Sequence, residues 1–156
     1  FVTDAENLRV LRLNGLREAV YSFGDFSEGE GELAEPQKIT IDREDRILVS
    51  DRLRSGIVVF DYFGNYLHEI GAGVLKEPAG LQTARNGALF VADTGRDQVL
   101  VFSQSGALLA AIGSAGDKLG ALANPIDVAV SGDRLFVAEA GNHRIQVFEL
   151  QWLQIP

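Results

Sequence analysis

The 156-residue chain is 46% hydrophobic and 23% charged, has a net charge of −8, and contains no cysteine and no methionine. This apolar share argues against disorder, and the missing thiols exclude a disulfide framework and a thiolate metal site. The acidic balance, with a pI near 4.7, argues against nucleic acid, whose phosphates call for a basic surface, and no apolar run nears the roughly 18 residues of a membrane helix. In chain order, the first predicted elements are "FVTD" (1–4), an apolar stretch ending in an acid, and "VLRL" (10–13). An "FG" exit at Gly24 and a loop rich in Gly and Glu then lead to Pro36. The next unit reads as four short strands, "QKITID" (37–42), "RILVS" (46–50), "GIVVFD" (56–61) and "YLHEIG" (66–71). Its hairpin turn, "YFGNY", offers Gly64 or Asn65 for positive φ. The unit opened by Pro78 runs through "LFVADTGRDQVLVF" (89–102) to Gly113, and the unit opened by Pro125 runs through "LFVAEAGNHRIQVF" (135–148). Glycines break every candidate helix, and no window keeps a 3.6-residue period for ten residues.

The units are one repeat. Aligned on Asp4, Asp51, Asp93 and Glu139, each has an apolar stretch before the acid and a second run six to nine residues after it, without gaps. A glycine follows twenty residues after the acid at Gly24, Gly71 and Gly113. Pro36, Pro78 and Pro125 open successive units 42 and 47 residues apart, and the extra residues sit in "GSAGDKLGALANP", where a loop absorbs them cheaply. Strands two and three are nearly continuous runs of β-branched and aromatic residues, which predicts sheets buried on both faces. Four-stranded units of this length suit radially stacked sheets. The expected fold is all-β, a partial β-propeller of four-stranded antiparallel blades.

The residues that carry a family likeness are "GNHRIQVF" (141–148), "LFVADTGRDQVLVF" (89–102), the "NP" or "EP" that opens each unit, and the "IG" exits. On these the chain resembles the NHL-repeat propellers over essentially its whole length; the second unit departs most, since "DRLRSGIVVF" lacks the Asn-His-Arg run. One domain, 1–156, is expected: blade one at 1–34 without its innermost strand, blade two at 35–76, blade three at 77–123 and blade four at 124–156, with "QWLQIP" as a possible fourth strand. Propellers close with about 4–8 blades, so remaining blades are expected from the same or another chain. A start at Phe1-Val2 without Met predicts a processed product or part of a longer one; no signal-peptide pattern stands in these residues.

Alternation along the chain places the loops between strands two and three on the same face as those between strands four and one. This face carries the longest polar loops and every candidate site residue. Asp4, Asp51, Asp93 and Glu139 could bind metal or act as bases, but an acid repeated in every blade reads as a turn anchor that accepts backbone N–H groups. His143 shares its repeat position with Leu8, Ser55 and Asp97 and reads as turn dressing; the other histidine, His68, falls on an outer strand of another blade. No metal site, cofactor or catalytic set is expected. Arg9, Arg52, Arg54, Arg96 and Arg144 form either a ligand-reading stripe or ion pairs with acids beside them, among them Asp97. Glu28, Glu30, Glu32 and Glu35 in "EGEGELAE" could draw Ca²⁺ or a basic partner, though their alternation with glycine favours a solvated loop.

The expected function is a non-catalytic binding or assembly module that presents the loop face, with Arg52, Arg54, Arg96, Asp97, Asn142, His143 and Arg144, to a protein partner. The alternative is a lactonase- or lyase-like propeller enzyme with a central-channel site, for which the innermost strands offer only Lys38, Gln82 and Asp127. A nucleic-acid-binding propeller stands third, opposed by the charge. The absence of Met and Cys favours a bacterial, extracytoplasmic setting. Val91, Phe102, Val137 and Phe148 are expected in the core.

Overall fold

A computed structural model of the chain describes residues 1–25 and 30–151. In chain order the strands are β1 (Val2–Asp4), β2 (Arg9–Leu13), β3 (Ala19–Phe23), β4 (Pro36–Ile41), β5 (Ile47–Asp51), β6 (Gly56–Phe60), β7 (Tyr66–Ile70), β8 (Pro78–Thr83), β9 (Leu89–Asp93), β10 (Gln98–Phe102), β11 (Leu108–Ile112), β12 (Pro125–Ser131), β13 (Arg134–Glu139) and β14 (Arg144–Glu149). The only helical turn among the described residues is a 3-10 turn at Thr94–Arg96. The strands form four antiparallel meanders, β1-β2-β3, β4-β5-β6-β7, β8-β9-β10-β11 and β12-β13-β14. These are blades one to four of a propeller whose ring is not closed. The expected strand four in "QWLQIP" falls on residues 152–156, outside the described residues.

The apolar runs explain the stacking. β5, β6 and β9 are buried along their whole length, as both their faces meet a neighbouring blade. Three apolar clusters lie between the four blades. Val10 and Phe23 of blade one meet Leu33, Ile47, Val49, Val58 and Phe60. Ile57 and Val59 of blade two meet Leu81, Val91 and Phe102. Phe90 and Val99 of blade three meet Leu122, Leu135 and Val137. At the exit of each of the first three blades Gly24, Gly71 and Gly113 have φ of 84°, 79° and 85°, and a Cβ at any of them would collide with Leu33, Leu75 or Leu122. This repeat position therefore takes glycine for two reasons, the left-handed backbone and the leucine that caps the interblade cluster.

Phe148 differs from the expectation. Its repeat equivalents Phe60 and Phe102 are 2% and 1% exposed, whereas Phe148 is only partly buried at the edge of its cluster. Phe60 and Phe102 stand on strands flanked by a fourth strand, β7 or β11, whereas β14 pairs only with β13 among the described residues.

Candidate functional site

The acids end strand two in every blade, as their spacing predicted, and in blades two to four each knots two loops together, whereas Asp4 accepts from Asn7 and Arg9 of its own turn. Asp51 accepts the amides of Ala34 (2.6 Å) and Glu35 (3.0 Å). Asp93 accepts those of Lys76 and Glu77, both at 2.9 Å. Glu139 accepts that of Ala123 at 3.0 Å. Asp51 and Asp93 are fully buried and Glu139 is 3% exposed. These amides sit just before the proline that opens strand one, and proline has no N–H of its own to satisfy. Removing a buried carboxylate that accepts such donors would orphan them. Burial pushes the Glu139 carboxyl up, but hydrogen bonds from Arg144, the Ala123 amide and Asn142 outweigh it and hold the group below its ordinary value.

The arginines face inward. Arg144 Nε donates to Glu139 at 2.7 Å, and its remaining nitrogens donate to the carbonyls of Asp117, Lys118 and Ala121. Arg54 donates to the Glu32 carbonyl at 2.8 Å and to Glu69 at 3.0 Å. Arg96 donates to the Val74 carbonyl at 2.7 Å. Each guanidinium thus holds the loop that precedes its own blade. Blades one and four place the arginine five residues after the acid and an asparagine at three; blades two and three place it at three. Gly56 stands at the vacated position in blade two, where Glu69 fills the space a side chain would need. Asn142 Nδ2 donates to Glu139 at 2.6 Å. Arg52 differs in its partner: its side chain is 47% exposed and pairs with the Glu35 carboxylate instead of a carbonyl.

The position of His143 is a left-handed turn residue in all four blades, with φ of 53° at Leu8, 54° at Ser55, 53° at Asp97 and 51° at His143. In the middle blades this residue also reaches forward. Ser55 Oγ donates to the Lys76 carbonyl at 2.8 Å, and Asp97 accepts the Asn124 amide at 2.7 Å. Ser50 Oγ and Thr94 Oγ1 make similar reaches, to the carbonyls of Ala79 and Pro125. Sequence reasoning named Asp97 but missed Ser50, Ser55 and Thr94 as interblade couplers, and also Gln146, which is buried and bonds Gly120, Ala121 and Glu139. No signal marked them, because a Ser, Thr or Gln acquires its role only from the neighbouring blade. Glu28 lies outside the described residues; Glu32 offers its carbonyl to Arg54, and Glu35 pairs with Arg52.

On the innermost strands Lys38 Nζ meets Asp127 at 2.6 Å, reaching from blade two to blade four across blade three. Gly80 lies between them, where a Cβ would collide with Asp127. Gln82 accepts the Val130 amide at 2.6 Å. The three channel candidates are therefore all engaged by neighbouring strands. No group of three or more His, Cys, Asp or Glu among the described residues is arranged to hold a metal ion.

The NHL repeat family matches residues 122–148, the opening and central strands of blade four. Blade four of this partial β-propeller thus matches an NHL repeat. It is 38% identical over 55 residues to the E3 ubiquitin-protein ligase TRIM71 of Rattus norvegicus, a match covering 35% of this chain and 6% of that protein. It is 35% identical over 48 residues to the protein lin-41 of Caenorhabditis elegans, covering 31% of this chain and 4% of that one. The chain therefore spans a small part of these curated relatives. Among solved structures it superposes on virginiamycin B lyase from Staphylococcus aureus with a TM-score of 0.68 at 16% identity, covering 97% of this chain and 52% of the lyase chain. A Bacteroides thetaiotaomicron protein of unknown function gives a TM-score of 0.74 at 14% identity, covering 92% of this chain and 42% of that one. Identities this low show the fold alone.

Proposed function

We propose that this NHL-type segment is a non-catalytic protein-binding module that engages its partner with the loop face between strands two and three. The observation that carries this reading is a face whose loops are stapled by hydrogen bonds and carry apolar tips. Leu53 and Leu119, in two of its loops, are 68% and 89% exposed. The side chains of Arg52 and Arg96, also on this face, are 47% and 42% exposed. Exposed leucines on ordered loops, with half-exposed guanidinia around them, fit an apolar anchor and charged rim. Loops already fixed by Asp51, Asp93, Glu139 and their arginines lose little further entropy on binding. Of the arginines expected to read the partner, Arg52 and Arg96 have the most exposed side chains, though Arg96 also bonds the Val74 carbonyl, while Arg54 and Arg144 support the loops beneath. The net charge of −8 favours a protein over a nucleic acid.

Photo-crosslinking probes at positions 53 and 119, with a control probe at Phe63 (72% exposed) in a turn on the opposite face, test this directly. Crosslinked partner is expected from the first two positions only. With the captured partner, the Arg52→Ala/Arg96→Ala double variant is expected to bind more weakly and with less salt dependence, since rim charges mainly steer encounter. Equal crosslinking from position 63, or unchanged affinity in the double variant, would overturn the assignment.

A further inference from the structure

Where one blade departs from the repeat, the fold itself does not call for the departure. Eight residues after the acid, Val59 and Val101 are buried toward the next blade, at 0% and 6% exposure; blade one has Arg12 there. Paired with these valines on the outer strand stand His68 and Ala110, where blade one has Tyr21. Eleven residues after its acid, blade two brings Tyr62 beside Arg12; blades three and four have Gln104 and Leu150 at that position. Between blades three and four the same three places hold Val101, Ala110 and Leu150 in one apolar cluster. A cation and two phenols thus replace an apolar joint. Arg12 shares its face of β2 with Val10, which is fully buried against blade two, so the joint lies inside the stack.

The Arg12 guanidinium lies 4.6 Å from the Tyr62 ring centre and 5.5 Å from that of Tyr21. It donates to Tyr62 Oη at 2.8 Å and to Tyr21 Oη at 3.5 Å, and Tyr21 Oη donates to the Tyr62 carbonyl at 2.9 Å. Rings and phenols hold the cation in place without neutralising it. Among the described residues five arginines are half-buried. Arg9, Arg46, Arg54 and Arg144 each pair with a carboxylate at 3.0 Å or closer. Arg12 pairs with none among the described residues. Asp61, beside Tyr62 in sequence, is taken up by the amides of Phe63 and Asn65 and by the Asn65 side chain. The Phe63 ring meets the Tyr62 ring edge-on at 5.8 Å and 88°. These two rings are 72% and 39% exposed, so an open aromatic corner stands beside an unneutralised guanidinium.

We propose that Arg12, Tyr62 and Phe63 form a binding site for a small aromatic monocarboxylate, with Tyr21 positioning the guanidinium. A guanidinium fork matches a planar carboxylate through two parallel N–H···O bonds. The Tyr62 hydroxyl accepts from Arg12 and has its own proton to donate. The corner of Tyr62 and Phe63 offers ring faces and edges to an aromatic body. Charge favours a monoanion over a phosphate: a single cation serves the site in a chain of net charge −8, whose field opposes a second negative charge. The site is on the face opposite the loops proposed to bind a protein, so its failure would leave that reading intact.

The test is an amide-resolved NMR titration of the full 156-residue chain with phenylacetate, with its uncharged counterpart phenylacetamide, and with inorganic phosphate. Phenylacetate is expected to shift the amides of Arg12, Tyr62 and Phe63 saturably, with a Kd on the order of 1 mM for a ligand of this size. Phenylacetamide and phosphate are expected to bind at least about tenfold more weakly. Arg12→Val, which installs the residue of the other blades, is expected to fold and to weaken phenylacetate about tenfold or more. Phe63→Ala, at an exposed turn position, is expected to weaken it roughly threefold or more. Arg85→Ala, at an exposed arginine of blade three, is expected to leave binding unchanged. Circular dichroism of each variant separates lost binding from lost folding, and Phe63→Ala keeps the test decisive if Arg12→Val does not fold. No saturable shift at these amides, equal binding of phenylacetamide or phosphate, or undiminished binding by a folded Arg12→Val or Phe63→Ala variant would each overturn the proposal.

Discussion

At the scale of single residues, the chain uses polar groups as joinery. Glu139 gathers Ala123, Asn142, Arg144 and Gln146 around one carboxylate. Its pKa is depressed in the folded protein, so the linkage has a definite sign. The stability it contributes is fully present above the unfolded value near 4.5 and is lost as pH falls through the lower folded value. Urea titrations across the acid range are expected to show wild type losing more stability than Glu139→Gln, with the two curves converging at the lowest pH; parallel curves would remove Glu139 as the titrating anchor. His143 is a backbone residue in this sense. With φ at 51°, asparagine or glycine should replace it within about 0.5 kcal/mol. Valine there should cost roughly 1–2 kcal/mol, the penalty of a left-handed β-branched residue. Equal stability of the valine variant would show that the turn is not held left-handed.

At the scale of elements, the interblade cluster is the unit of stability. Phe102 is 1% exposed, between blades two and three, and Phe102→Ala is expected to cost about 3–5 kcal/mol. Phe148 occupies the same repeat position but is only partly buried, so Phe148→Ala should cost less than about 2 kcal/mol, as the open side leaves little cavity. Equilibrium urea unfolding of the two variants checks the order; equal losses would mean that β14 is covered as fully as β10. Because the same leucine, glycine and acid recur at each junction, adding a blade mainly adds one more copy of this interface.

At the scale of the whole molecule, the two end blades show what the stack requires. Ile57 and Val99 are fully buried by the blade that follows, while their equivalent Ile145 is 70% exposed on blade four. Val147 is 49% exposed beside it, and its equivalents Val59 and Val101 are 0% and 6% exposed. Lysine is therefore expected to be tolerated at 145, within about 0.5 kcal/mol, and to unfold the chain at 99, at a cost of roughly 4 kcal/mol or more for an unpaired buried charge. Thermal melts of Ile145→Lys and Val99→Lys decide this; a large loss at 145 would show that blade four's outer face is already covered.

The strand pattern was legible in the sequence because each rule acts within a few residues. Alternating and continuous apolar runs gave the strands, the acid ended strand two, proline opened strand one, and glycine marked the exit at Gly24, Gly71 and Gly113. The repeat then implied the stacking, since no single sheet of this kind can bury both faces alone. The arginines were only half legible. Their placement beside the acids was visible, but their aim toward the carbonyls of Glu32, Val74, Asp117, Lys118 and Ala121 depends on how the preceding loop folds back. Ser50, Ser55, Thr94 and Gln146 were not legible as couplers, and Phe148 was misplaced in the core, because burial at an end blade depends on what stands beside it. Local backbone and patterning physics are written in the chain and fix the blade. Contacts between blades join residues far apart in sequence, so only the tertiary structure decided which polar groups hold loops, which remain on the surface, and which apolar faces stay open.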